Sequence, residues 1–129
     1  MRRVRPGLWL ATLTGLFVAA MTVVAYTAAQ ADAGRQLLAG YCAGCHGPTL
    51  GGALGPGLVG AGFRATWNTA AALFTYVSQQ MPLRAGGLLS PEQYWNLVAY
   101  LLRENGIAPD EAPLNEQTAG RVRLGQRAA

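Results

Sequence analysis

The stretch Cys42-Ala43-Gly44-Cys45-His46 decides how the rest of the chain is read. Its two cysteines and its histidine are the only ones in the 129 residues. A disulfide between Cys42 and Cys45 closes too short a loop to staple a domain, so the pair points to chemistry. A structural zinc site needs a fourth ligand, and no second cysteine or histidine pair exists to supply it. A bare Cys-x-x-Cys leaves a catalytic dithiol open. The histidine directly after Cys45 and the missing strand–helix–strand pattern weigh against the dithiol, which stands as the alternative. The pattern C-x-x-C-H is the attachment signal for a c-type haem. Its spacing has a physical reason. Cys42 and Cys45 must reach two vinyl groups on one side of a porphyrin and form thioethers. His46 must then place a ring nitrogen on the iron from the same face. Ala43 and Gly44 are small enough for the backbone to turn close over the ring.

One haem bound through His46 leaves one axial position to fill. The chain has no lysine and no second histidine. Met1 and Met21 lie in an apolar leader, which leaves Met81 as the remaining thioether. On position alone, a methionine on a helical stripe is core filler. Once a haem is accepted, an apolar helix ending in Met81-Pro82 becomes the source of the opposite axial ligand. His/Met ligation leaves dioxygen and peroxide no easy seat and raises the potential, which suits a single-electron carrier better than an enzyme. The competing reading is a haem enzyme, or a gas- or peroxide-binding protein with a displaceable Met81. A third is an electron-transfer subunit fixed in a larger respiratory or dehydrogenase complex.

Outward from the motif the pattern is helical. Gly34, Leu37, Leu38 and Tyr41 share one face of a helix over 32–41. Residues 47–62 are glycine-rich, and composition alone reads as a flexible linker. Leu50, Leu54, Leu58 and Val59 argue instead that the segment packs. A second helix spans 69–80 with Asn68 as its cap. Its stripe of Ala70, Leu73, Phe74 and Val77 continues to Met81, and Pro82 stops it. Ser90-Pro91-Glu92-Gln93 opens a third helix with a serine cap, a proline first residue and a glutamine three after the cap. Tyr94, Leu97, Val98 and Leu101 face inward, and Asn105-Gly106 ends the helix. Residues 107–129 carry charges, two prolines and little apolar content, so a mobile or loosely docked tail is expected. No strand pattern and no repeat interrupts an all-α reading.

Arg2, Arg3 and Arg5 precede a stretch without charge from residue 6 to 31, whose apolar centre spans 8–25. Ala29-Gln30-Ala31 is a small-x-small cleavage pattern, so a secretory signal over 1–31 with a mature chain from near Asp32 is expected. The apolar centre exceeds the roughly 7–15 residues of a signal core and approaches the ~20 that span a bilayer, so an uncleaved anchor is the alternative. Either delivers the globular part to the periplasmic side, free or held at the outer face of the cytoplasmic membrane through residues 8–25. The formal charge of +4 comes mostly from the leader: beyond Ala31, seven arginines face six acids. That balance excludes a nucleic-acid footprint and leaves redox proteins as the expected partners.

From Gly34 to Leu102 the sequence resembles the class I cytochrome c family. Gly34 stands eight residues before Cys42, at the family's N-terminal-helix glycine, and Asn96-Leu97-Val98-Ala99-Tyr100-Leu101 resembles its C-terminal helix. The resemblance implies a small cytochrome c fold: three main helices around one covalent haem c, a domain over 32–106 and a tail over 107–129. It implies that Gly34 packs against the C-terminal helix near Leu97 and Tyr100. Gly55-Pro56-Gly57-Leu58 looks like the loop whose proline carbonyl accepts a hydrogen bond from the haem histidine, so Pro56 would orient His46. Met81-Pro82 matches the axial methionine motif. Arg64 and Trp67 sit where the family often has haem propionate partners, with a plain pocket wall as the alternative for Trp67. Without lysine, no ring of lysines surrounds the haem edge, and strong steering toward an acidic partner is not expected.

Overall fold

The structure, a computed structural model, describes residues 11, 14–18 and 25–125. Most of the apolar stretch 8–25 lies outside the described residues, and so does the reading of it as signal or anchor. Among the described residues no helix is long and apolar enough to cross a membrane.

Among the described residues five α-helices follow in order: α1 (Ala28–Tyr41), α2 (Ala43–His46), α3 (Ala61–Thr66), α4 (Ala70–Gln80) and α5 (Pro91–Glu104), with a short 3-10 turn at Ala119–Arg121. No strand forms among the described residues; one isolated bridge joins Thr69 to Arg123. The helix starts follow local side-chain chemistry. The Ser90 hydroxyl accepts from the Gln93 amide, and the Gln93 side chain accepts from the Ser90 amide, so α5 opens on the expected capping box. α4 starts one residue later than its sequence pattern suggests. Thr69, not Asn68, caps it by accepting from the Ala72 amide at 3.2 Å.

α1 starts earlier than the expected residue 32. Thr27 and Gln30 form a second capping box, and Ala31 is already core. In the sequence this start is hidden, because the apolar leader runs directly into the first helical turn.

α1 packs most closely on α5. Gly34 is the contact point: a Cβ there would overlap the Asn96 carbonyl oxygen and press on Tyr100 Cβ. The expected approach to Tyr100 is observed, with Asn96 rather than Leu97 as the backbone neighbour. A methyl group at this position would force the helices apart. Tyr94, Leu97, Val98 and Leu101 of α5 are all buried, as their spacing predicts, and Ala99 and Leu102 join them.

Residues 107–125 are not a loose tail. Leu114, Ala119, Val122 and Leu124 are buried in the same core as α1, α4 and α5. The Ala70 amide donates to the Val122 carbonyl, and the Leu124 amide donates to the Asn68 carbonyl. The Tyr26 hydroxyl donates to the Ile107 carbonyl at 2.5 Å, and the Asp110 amide donates back to the Tyr26 carbonyl at 2.7 Å. Four well-spaced apolar side chains and backbone hydrogen bonds hold this strap, a pattern too sparse to register as helix or strand periodicity.

The glycine-rich segment is also tied down. The Gly52 amide donates to the His46 carbonyl and the Leu58 amide to the Leu50 carbonyl. Leu50 is buried, Leu58 and Val59 are half-buried, and Leu54 is exposed. Buried Asn105 closes the segment from the other side. Its amide nitrogen donates to the Leu58 and Leu101 carbonyls, and its oxygen accepts from the Gly60 amide.

Candidate functional site

Cys42 caps the end of α1 and the start of α2, so Cys42, Cys45 and His46 sit on one short turn that lines a large cavity. The cavity measures about 880 Å³ and is lined mostly by apolar side chains. That lies within the ~300–1,000 Å³ range of cofactor and ligand sites. His46 and both cysteines line one wall, and Met81 lines the cavity from the end of α4. Leu97 and Leu101 of α5 form part of its interior.

The His46 ring is buried, at 8% exposure. Its Nδ1 lies 2.7 Å from the Pro56 carbonyl oxygen. A carbonyl can only accept, so Nδ1 carries the proton and donates, which leaves Nε2 with a lone pair for a metal. Pro56 is the residue whose carbonyl the resemblance expects beside the His46 ring. The loop is held against the ring from its own side, because the Gly55 amide donates to the Cys45 carbonyl at 2.7 Å. A Cβ on Gly55 would stand only 3.0 Å from His46 Cε1, so a side chain there would disturb the ring.

Burial raises the Cys42 thiol pKa above its ordinary value, and the neighbouring Cys45 raises it further. A catalytic dithiol works through a thiol whose pKa is lowered, so Cys42 is shifted the wrong way for thiol–disulfide exchange. Among the described residues no group of three or more His, Cys, Asp or Glu side chains could hold a bare metal ion. The donor set is two thiols, one imidazole lone pair and one thioether, spread around an apolar slot. That set fits a flat metalloporphyrin held by thioethers.

Met81 follows α4 directly; its amide donates to the Val77 carbonyl, and its carbonyl accepts from the Tyr94 hydroxyl at 2.6 Å. Leu73, Tyr76 and Val77 of the same helix line the cavity. Phe74 turns to α5 and stacks on Trp95, with ring centroids 3.6 Å apart.

The two residues carried over as propionate partners separate. Trp67 lines the cavity, with its ring 4.8 Å from that of Tyr76 and 6.5 Å from that of Phe63. Arg64 does not line it. Gly62, Phe63 and Thr66 turn inward from α3, and helical spacing puts Arg64 with Ala61 and Ala65 on the other face, in a shallow cleft beside Gly125. Sequence reasoning missed Asn105, read only as a helix stop, and the Tyr94 hydroxyl, read only as part of an apolar stripe. Both are polar groups on buried positions, and that is the signal that marks them for a specific partner.

The profile of the family described as cytochrome C oxidase, cbb3-type, subunit III matches residues 29–101. No curated protein and no solved structure matches the chain.

Proposed function

The chain belongs to the cbb3-type cytochrome c oxidase subunit III family, a family of c-type cytochromes, and from that premise we propose that it is a single-electron carrier whose one haem c is closed on both faces by His46 and Met81. A cytochrome c domain implies haem-based electron transfer and a covalently bound haem c. Bound in this cavity, a haem would supply a one-electron ferric–ferrous couple for exchange with protein redox partners. Cys42 and Cys45 would hold it by thioether bonds. The Pro56 carbonyl fixes the His46 tautomer, so that Nε2 would be the nitrogen that holds the iron. Met81, on the same cavity, would hold the iron through its thioether, which favours the ferrous state. Leu73, Val77, Leu97, Leu101 and Trp67 exclude water, and a low-dielectric surround disfavours the extra charge of ferric iron.

The observation that carries this reading is the joint position of His46 and Met81 on one apolar cavity, with Nδ1 already committed to Pro56. The carrier works outside the cytoplasm, as domains of this family generally do, either soluble or held at the membrane by the stretch 8–25. It serves as a free carrier or as a subunit of a respiratory complex. Carbon monoxide added to the reduced holoprotein tests the function. A six-coordinate carrier binds it slowly and incompletely. Rapid, complete binding would instead indicate an enzyme or gas-binding protein with a displaceable Met81.

A further inference from the structure

We propose that Tyr94 is the positioning residue for Met81, an inference that rests on the axial reading above. Tyr94 is fully buried on α5. Its hydroxyl donates to the Met81 carbonyl at 2.6 Å and accepts from the Gly87 amide at 3.1 Å, with the Leu89 amide at 3.5 Å. One side-chain atom thus ties the start of the 81–89 loop to its end and anchors both on α5. The methionine side chain is flexible and has no polar partner of its own. Its position comes from its backbone. The Met81 amide is held by the Val77 carbonyl at 3.0 Å, and its carbonyl by Tyr94. Without the hydroxyl, the carbonyl loses a buried donor and the loop loses its cross-tie, while the apolar pocket around the ring stays filled.

Tyr94→Phe tests this, with Tyr26→Phe as the control. Tyr26 is equally buried and its hydroxyl also donates to a backbone carbonyl, but that carbonyl belongs to Ile107 in the strap. Both variants lose one buried hydrogen bond and some stability. Imidazole titrated into the ferric holoprotein reads displacement of the methionine. Tyr94→Phe is expected to bind imidazole about three- to tenfold more tightly than wild type, and Tyr26→Phe as wild type does. Equal affinity in Tyr94→Phe and wild type, or an equal rise in both variants, overturns the positioning role. Met81→Ala in the same titration separates this from the axial assignment. If imidazole binds Met81→Ala no more tightly than wild type, the axial reading itself fails, and the Tyr94 role fails with it.

A second, independent observation concerns the start of the domain. We infer that the Ala31–Asp32 bond stays uncut in the folded protein. Ala25, Tyr26 and Ala31 are core residues. Thr27 caps α1, and the Gln30 side chain pairs with both backbone groups of Leu114, donating to its carbonyl at 2.9 Å and accepting from its amide at 2.8 Å. Residues 25–31 therefore fill the seam between the start of α1 and the strap, and a chain beginning at Asp32 lacks the helix cap, a fully buried tyrosine and the Gln30 and Tyr26 hydrogen bonds to the strap. The intact mass and N-terminal sequence of the haem-bearing protein from its native host decide the matter. An N-terminus at or before Ala31, with the Ala31–Asp32 bond intact, is expected; one at Asp32 or beyond overturns the inference.

Discussion

The two walls of the cavity are built in different ways. The His46 wall is local: the cysteines, the histidine and the Pro56 carbonyl that orients it come from one short run of chain, with His46 and Pro56 ten residues apart. The Met81 wall is assembled at a distance. Met81 reaches the cavity at the end of α4, and a tyrosine on another helix holds its carbonyl. A local wall depends on few contacts outside itself. A wall assembled from separate helices moves whenever either helix or the loop between them shifts. The proximal side should therefore be robust and the methionine side adjustable.

Breaking the local wall has the largest expected effect. Replacing Cys42 and Cys45 together by Ala removes both thiols proposed to form the thioether bonds, and no haem should remain attached to the polypeptide after denaturation, read by haem staining of a denaturing gel. Next comes the loop that carries Pro56. Asn105→Ala deletes three hydrogen bonds, two of them to that loop and one to the Leu101 carbonyl of α5, and leaves the Leu58 carbonyl and the Gly60 amide without their side-chain partner. A loss of about 2–4 kcal/mol of unfolding free energy is expected by chemical denaturation of the holoprotein. Leu114→Ala, in the strap and remote from both walls, should cost about 2–4 kcal/mol by the same measurement and leave the visible spectrum unchanged. Pro56→Ala should matter least. The orienting group is a backbone carbonyl that alanine also has, so a stability change under about 1 kcal/mol is expected, from loss of the fixed proline φ. A large spectral change in Pro56→Ala would mean that the ring, not the carbonyl, orients His46.

The same contrast explains what could be read from the sequence. The His46 wall was legible because its chemistry is written in consecutive residues and a short loop. α5 was legible because Ser90, Pro91 and Gln93 announce its start and Tyr94, Leu97, Val98 and Leu101 repeat at helical spacing. The Met81 wall was half legible. The stripe along α4 and the stop at Pro82 pointed to Met81, but no pattern links Tyr94 to a carbonyl thirteen residues earlier. The strap was misread because its burial depends on isolated leucines, Leu114 and Leu124, that pack only once α1 and α4 are in place. The start of α1 was misread because a helix cap at Thr27 sits inside an apolar run that also suits an export signal. Arg64 was assigned by position in a family pattern, and the periodicity of α3 turned it away from the cavity.

The central claim is that Met81 closes the second face of the haem. The far-red absorption band that thioether–ferric haem ligation produces tests it most directly, measured on the oxidised holoprotein and on Met81→Ala. The band should be present in the wild type and absent from the variant. A wild type without the band, or a variant that keeps it, contradicts the account.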